Sequence, residues 1–322
     1  MLALLFPGQG AQRVGMGRDV YETSPAARAV FREADAALGL SLSRLCFEGP
    51  ADALLATEMQ QPAILATSVA LWRALEERCG GPLPAAYVAG HSLGEYSALV
   101  VSGSLALADA VRLVRARGAY MQDAVPAGAG AMAAILGSDA HAVDAVCARV
   151  RERSGAWVAS ANYNAPGQTV VSGTAAAVEE ACAEARQAGA RRTVALAVSA
   201  PFHCRLMAPA AERLRGDLAR LRFADPAPPL VANVSADVVR DGAALGELLC
   251  RQVTEPVRFT EMVQRLATRG TTRMLEIGPA RVLSALVARI EPAVARAALI
   301  DAAGLDAAAT FAAARADAQP AP

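Results

Sequence analysis

Apolar residues are distributed along this chain in two alternating patterns. Unbroken short runs such as LALLF (2–6) and AAYVAG (85–90) have the length and composition of buried strands. Segments at about 25–38, 62–78 and 106–122 instead place apolar residues every three or four positions, the spacing of one helix face. The first run ends in Pro7-Gly8-Gln9-Gly10 and the second at Gly90, so each strand enters a turn. Strands alternating with helices in this way predict a mainly parallel α/β sheet.

From about residue 127 the rhythm changes. Beyond a Pro126/Gly128/Gly130 hinge come a strand at 131–137, a helix at about 139–152, strands in WVASANYN and QTVVSG, a helix at about 175–188 and a strand in RRTVALAV. That order, βαββαβ in roughly 70 residues, predicts a ferredoxin-like subdomain inserted into a larger domain. PLVANVSA (229–236) and RMLEIGP (273–279) read as further strands of the large domain, with helices at about 205–221 and 280–290. The expected division is a discontinuous α/β domain over 1–126 and 199–302, an insert over 127–198, and an Ala-rich tail over 303–322 that begins as a fraying helix and ends in QPAP.

Composition narrows the chemistry. The 322 residues are 54% hydrophobic and 19% charged, enough for a substantial core. With 31 basic and 31 acidic residues, the chain has no net field for gathering nucleic acid or an anionic membrane. Every basic residue is Arg, and the absence of Lys excludes Schiff-base and pyridoxal-phosphate enzymes and a GxxxxGK phosphate loop. No apolar run reaches the roughly 18 residues of a membrane span, and the start lacks a charged leader with a small-residue cleavage site, so a cytoplasmic protein is expected. The six cysteines have no CxxC pair and read as reduced, mostly core residues; with only three histidines and no HxH or HxxxH pair, no metal site is expected. GAGAMA (128–133) fits GxGxxA, but its strand follows instead of preceding, which fails the context of a dinucleotide fingerprint.

The sharpest local signal is VAGHSLGEYSAL (88–99), which sets Ser92 between Gly90 and Gly94. A GxSxG pentapeptide arises by chance on the order of 0.1 times in a chain with 25 glycines. Its surroundings are those of a nucleophile elbow, with a strand ending at the first Gly and a helix opening after the Ser, so that the hydroxyl is exposed at a helix N-terminus. The alternative is a Gly-rich strand-to-helix turn holding a structural Ser. A serine nucleophile needs a base, and there are three histidines. His91 points away from Ser92 if the strand continues through it. His141 lies in the insert, in the first turns of an exposed helix. His203, in SAPFHC where the chain re-enters the large domain, is favoured by elimination.

Around these residues the chain resembles the malonyl-CoA:acyl carrier protein transacylases of fatty acid synthesis and the similar acyltransferases that serve polyketide synthases. The matching stretches are FPGQGAQ (6–12), QQPAILA (60–66), GHSLGEYSAL (90–99), VRARGAYMQ (114–122), NYNAPGQTVVSG (162–173), VSAPFHC (198–204), RQVTEPVRF (251–259) and EIGPARVL (276–283). They run in family order over about residues 4–290. One departure is Ala280 after Pro279, where the family often has Gly; it touches a turn more than the chemistry. The family's hydrolase-like α/β domain with a ferredoxin-like insert agrees with the order of elements above.

The resemblance implies roles position by position. Ser92 would attack the malonyl thioester, and His203 would take its proton and return one to the leaving thiol. The imidazole would be oriented by the main-chain carbonyl of Gln252 in place of a carboxylate. Backbone N–H groups of Gln9 and Leu93 would hold the oxyanion. Arg117 would clamp the free malonyl carboxylate, although spacing alone does not choose it over Arg112 or Arg115. Phe202 and Leu93 would form a pocket wall favouring malonyl over methylmalonyl. The implied reaction is ping-pong transfer from malonyl-CoA to the phosphopantetheine thiol of acyl carrier protein, with no bound cofactor and a monomeric enzyme. An Arg-rich surface drawing on Arg115, Arg191, Arg192 or Arg205 would meet the acidic carrier. A serine hydrolase that clears acyl groups from carrier proteins and a non-catalytic carrier-binding scaffold remain as alternatives, and the sequence does not separate fatty acid from polyketide synthesis.

Overall fold

A computed structural model of the protein describes residues 1–198 and 200–314. Its strands are β1 (Leu2–Phe6), β2 (Ala85–Gly90), β3 (Gly130–Leu136), β4 (Val158–Ala165), β5 (Gln168–Thr174), β6 (Arg192–Ala195), β7 (Leu230–Val231), β8 (Val238–Val239), β9 (Arg273–Ile277) and β10 (Ala295–Leu299). Six of them form one sheet in the order β10-β9-β1-β2-β7-β8, parallel except for the β7–β8 pair. The other four form an antiparallel sheet in the order β4-β5-β3-β6, with helices Ala140–Ser154 and Ala175–Gln187 completing the βαββαβ order. The α/β architecture read from the apolar pattern is the one observed.

β1 lies inside the larger sheet and is buried along its whole length, which is why its sequence is an unbroken apolar run. Leu2, Leu4 and Phe6 face one core with the helix Thr57–Cys79, and Ala3 and Leu5 face a second with Phe259, Met262 and Val263. The ladder between β1 and β2 ends with Phe6 opposite Gly90, so the loops after both strands leave the same edge of the sheet side by side. Ligand sites in open α/β sheets form at such carboxyl ends.

Several boundaries differ from expectation. The helix expected at 62–78 starts at Thr57 and carries Pro62 in its interior, so Gln60 and Gln61 lie on its first turns. Burial of nearly every residue from Gln60 to Leu75 outweighs the hydrogen bond that the proline forfeits. The strand expected over 229–236 is only Leu230–Val231, because Ala232 and Asp237 close a turn in which Ala236 has φ 55°. The helix expected at 280–290 begins at Leu283, where the Glu276 carboxylate accepts from the N–H groups of Val282, Leu283 and Ser284, each at 2.8 Å. The helix expected to fray from about 303 is instead docked over Leu305–Ala313: Ala308 and Ala312, four apart and small, are buried in the core. Residues 315–322, including QPAP, lie outside the described residues. No described helix is long and apolar enough to cross a membrane.

Candidate active site

Ser92 sits at the end of β2 and starts the helix Leu93–Val101. Its backbone has φ 51° and ψ −106°, a region a non-glycine residue adopts only when the surroundings hold it there. The flanking glycines explain how the turn closes. A Cβ on Gly90 would lie 2.0 Å from the Gly94 carbonyl group, and one on Gly94 would lie 1.9 Å from the Phe6 carbonyl oxygen. His203 also has positive φ, 57°, so two of the three such non-glycine residues among those described are the proposed nucleophile and base.

The Ser92 Oγ lies 2.7 Å from His203 Nε2, and His203 Nδ1 lies 2.7 Å from the Gln252 carbonyl oxygen. Gln252 is the last residue of the helix Leu245–Gln252, where carbonyls lack an intrahelical partner and are free to accept. A carbonyl only accepts, so the proton sits on Nδ1 and the Nε2 lone pair faces the serine hydroxyl. Burial, and then the Arg117 cation, push the His203 pKa down to about 3, which keeps the imidazole neutral at physiological pH.

Arg117 comes from the helix Leu107–Asp123 and is completely buried. That helix approaches the helix Thr57–Cys79 closely at Gly118, whose added Cβ would lie 2.5 Å from the Thr57 carbonyl oxygen. The approach brings Arg117 Nη1 within 2.6 Å of Gln61 Oε1. Its Nη2 donates to Ser92 Oγ at 3.2 Å and to Gln252 Oε1 at 2.9 Å. A completely buried guanidinium therefore touches the serine oxygen. Arg112 bonds the Ala37 carbonyl on the surface, and Arg115 lines a separate shallow groove.

Above Ser92 opens a cavity of about 470 Å³ lined by Gln9, Gln60, His91, Met132, Asn162 and Phe202 among others, with contributions from both sheets' connections. The Gln9 side chain donates to Gln60 at 2.5 Å. The backbone N–H groups of Gln9 and Leu93 donate to no other described residue, the latter because it opens a helix. Phe202 lines the cavity, whereas the Leu93 side chain is fully buried in the core and does not line it. His91 bonds Asn164 at 2.8 Å and packs on Phe259, with no bond to Ser92; burial lowers its pKa. His141 is exposed on the helix Ala140–Ser154, far from this chemistry in role. Among the candidate carrier-facing arginines, Arg191, Arg192 and Arg205 are exposed, and Arg205 stacks over Trp157 at 3.9 Å. No cluster of metal-ligating side chains occurs among the described residues.

Three residues of the site escaped the sequence reading. Asn233, two residues beyond β7, accepts from the Ser92 N–H at 2.7 Å and donates to the Gly90 carbonyl at 2.7 Å. Gln61 engages Arg117, and Glu95 engages Gln252. Only Glu95 had a signal, an acidic residue in a helix whose other positions are nearly all apolar or small.

Residues 3–310 match the acyl transferase domain family. A malonyl CoA-acyl carrier protein transacylase of Bacillus subtilis (strain 168) is 50% identical over 289 residues, covering 90% of each chain. One from Salmonella typhimurium is 46% identical over 308 residues, 96% of this chain and 98% of its own. Among solved structures, an acyl-carrier-protein S-malonyltransferase from Burkholderia pseudomallei 1710b aligns with a TM-score of 0.92 at 44% identity, covering 96% of this chain and 99% of that one. A malonyl-transacylase solved in complex with its type II PKS acyl-carrier protein aligns with a TM-score of 0.92 at 43% identity, covering 95% and 98%. With that similarity spanning the serine, the histidine and the arginine alike, the chain belongs to the acyl transferase domain family, together with the malonyl CoA-acyl carrier protein transacylases.

Proposed function

We propose that the protein transfers the malonyl group of malonyl-CoA to the phosphopantetheine thiol of an acyl carrier protein through a malonyl ester on Ser92. The observation that carries this reading is the double contact at one oxygen: Ser92 Oγ, which lines the cavity, is held by a neutral imidazole and a buried guanidinium. In the first half-reaction Ser92 Oγ attacks the thioester carbonyl carbon while its proton passes to His203 Nε2. The N–H groups of Gln9 and Leu93 receive the developing oxyanion; a comparable donor is worth roughly 2.7–4 kcal/mol of barrier. Collapse breaks the C–S bond, and the CoA sulfur leaves with the proton from His203. In the second half-reaction the carrier thiol gives its proton to His203, attacks the ester, and Ser92 takes the proton back.

Arg117 supplies the selectivity. Its charge is buried and, among the described residues, has no ionised partner in hydrogen-bond contact, so an acyl group bearing a carboxylate gains an ion pair that acetyl cannot form. The same pairing relieves the second cause of the low His203 pKa, and malonyl binding thereby makes the imidazole a better base. Phe202, which lines the cavity beside His203, is taken as part of the wall that meets the acyl group. The proposal extends to a monomer acting in the cytoplasm, since nucleophile, base and clamp all come from one chain. It also takes 1–126 with 199–302 as the catalytic part and 127–198 as the insert that completes the cavity.

Intact-mass measurement after mixing with malonyl-CoA tests the reading. A single malonyl adduct, absent in Ser92→Ala and discharged onto a phosphopantetheinylated carrier protein, is expected. Rapid release of free malonate would make the protein a hydrolase, and carrier binding without any adduct would make it a scaffold.

A further inference from the structure

Glu95 is a buried carboxylate that the transfer chemistry does not use, yet it joins every part of the site. It lies on the helix Leu93–Val101, one turn from Ser92, and is 1% exposed. Its Oε2 accepts from Gln252 Nε2 at 2.5 Å, and its Oε1 accepts from the Asn233 N–H at 3.2 Å. Gln252 reaches three ways from there: its carbonyl accepts from His203 Nδ1–H, its Oε1 accepts from Arg117, and its second amide hydrogen goes to the Ser92 carbonyl at 2.9 Å. Asn233 reaches the Ser92 N–H and the Gly90 carbonyl. Every polar atom of the Gln252 side chain is thus committed, and the carboxylate is where the two branches meet.

We propose that Glu95 is a positioning residue for acyl transfer: accepting from Gln252 and Asn233 together, its ionised carboxylate locks the segments that orient His203, Arg117 and Ser92 into one reactive arrangement. This rests on the acyl-transfer reading above. Two donors point at the carboxylate, so only an ionised group with acceptors on both oxygens satisfies both. A protonated Glu95, or an amide in its place, offers a donor on one side and loses one branch.

The consequence is a pH dependence with a stated origin. Burial, opposed by the Gln252, Asn233 and Arg117 interactions, holds the Glu95 pKa up at about 7. The titratable groups bearing on it are Arg117, which stays cationic, and Tyr96 on its own helix, whose hydroxyl burial pushes far up; Gln252 and Asn233 do not ionise. His203, near 3, does not titrate in this range.

The test is the single-turnover rate of Ser92 acylation by malonyl-CoA between about pH 6 and pH 8 in wild type and E95Q. Wild type should slow as pH falls through about 7, whereas E95Q should be slow and flat. The two should differ by about 10- to 100-fold at the alkaline end and converge at the acid end, the scale of one lost charge-assisted hydrogen bond. A flat wild-type profile overturns the proposal, as does an E95Q profile that keeps the acid limb or lies below wild type by one constant factor. Should E95Q fail to fold, the wild-type profile alone decides. Failure of wild type to form any Ser92 adduct would instead sink the acyl-transfer reading itself.

Discussion

Arg112, Arg115 and Arg117 share one helix, and their chemistry separates on burial. Arg112 is exposed and Arg115 half-buried, while Arg117 has no exposed surface and touches the Ser92 hydroxyl. Arg117→Ala should lose malonyl transfer by at least about 100-fold while retaining or gaining acetyl transfer, because it removes a carboxylate partner worth roughly 3 kcal/mol and also frees His203 of a repelling charge. Competition between malonyl-CoA and acetyl-CoA, read by intact mass, checks this; an equal loss for both acyl groups would count against the clamp. Ser92 and His203 were legible in the sequence because GxSxG and a short roster of histidines constrain the choice strongly. Choosing Arg117 required either a family resemblance or the fold. Spacing places three arginines on a helix, and nothing in spacing says which one faces inward when the helix is packed on several sides.

The elbow is an element whose geometry is dictated by close approach. β1, the turn at Ser92 and the start of its helix come within reach of one another only where Cβ atoms are missing. Gly94→Ala should therefore unfold the protein or cost more than about 3 kcal/mol, since the obstructing atom is backbone and cannot swing aside. Gly216→Ala offers the contrast: it lies inside the helix Ala208–Leu218 with open space around it, and should stabilise by about 0.4–1 kcal/mol. Denaturant midpoints of the two variants distinguish steric from propensity effects. Elements with their own periodicity or length, such as β1 and the helix Pro25–Leu38, were readable in the sequence. The start of the helix Thr57–Cys79 was not, because Pro62 is a local stop signal that burial overrides, and this hid Gln61 as the partner of Arg117.

At the scale of the whole molecule, the two sheets are tied where the cavity forms. Tyr163 and Ala161 on β4 exchange backbone hydrogen bonds with Val257, and Arg289 donates to the Pro166 carbonyl from the other side of the junction. Folding also buries His203 as a neutral imidazole, and stability must respond to pH. The unfolded chain protonates this histidine below about 6.5, while the folded form resists down to about 3, so stability falls with pH across that window. The contribution is at most about 1.4 kcal/mol per pH unit. Glu95 acts in the opposite sense: the folded state keeps its proton up to about 7, the unfolded state releases it near 4.5, and stability falls as pH rises between them. Unfolding free energies of wild type and His203→Gln at about pH 5 and pH 7 separate the two, and the variant should lose less on acidification. A parallel acid loss in both proteins would contradict the buried-neutral assignment. By itself the sequence determined the α/β class and the ferredoxin-like order of the second sheet, and it singled out Ser92 and His203, which the fold brings into contact; each leaves a local mark: an apolar run, a helical period, a glycine-framed turn. Tertiary structure alone decided where the Leu93 side chain goes, that the Gln61 side chain meets Arg117, and that Glu95 and Asn233 tie Gln252 to the Ser92 turn. Those contacts join residues up to 160 positions apart, and a hydrogen bond across the fold leaves no periodicity in the chain.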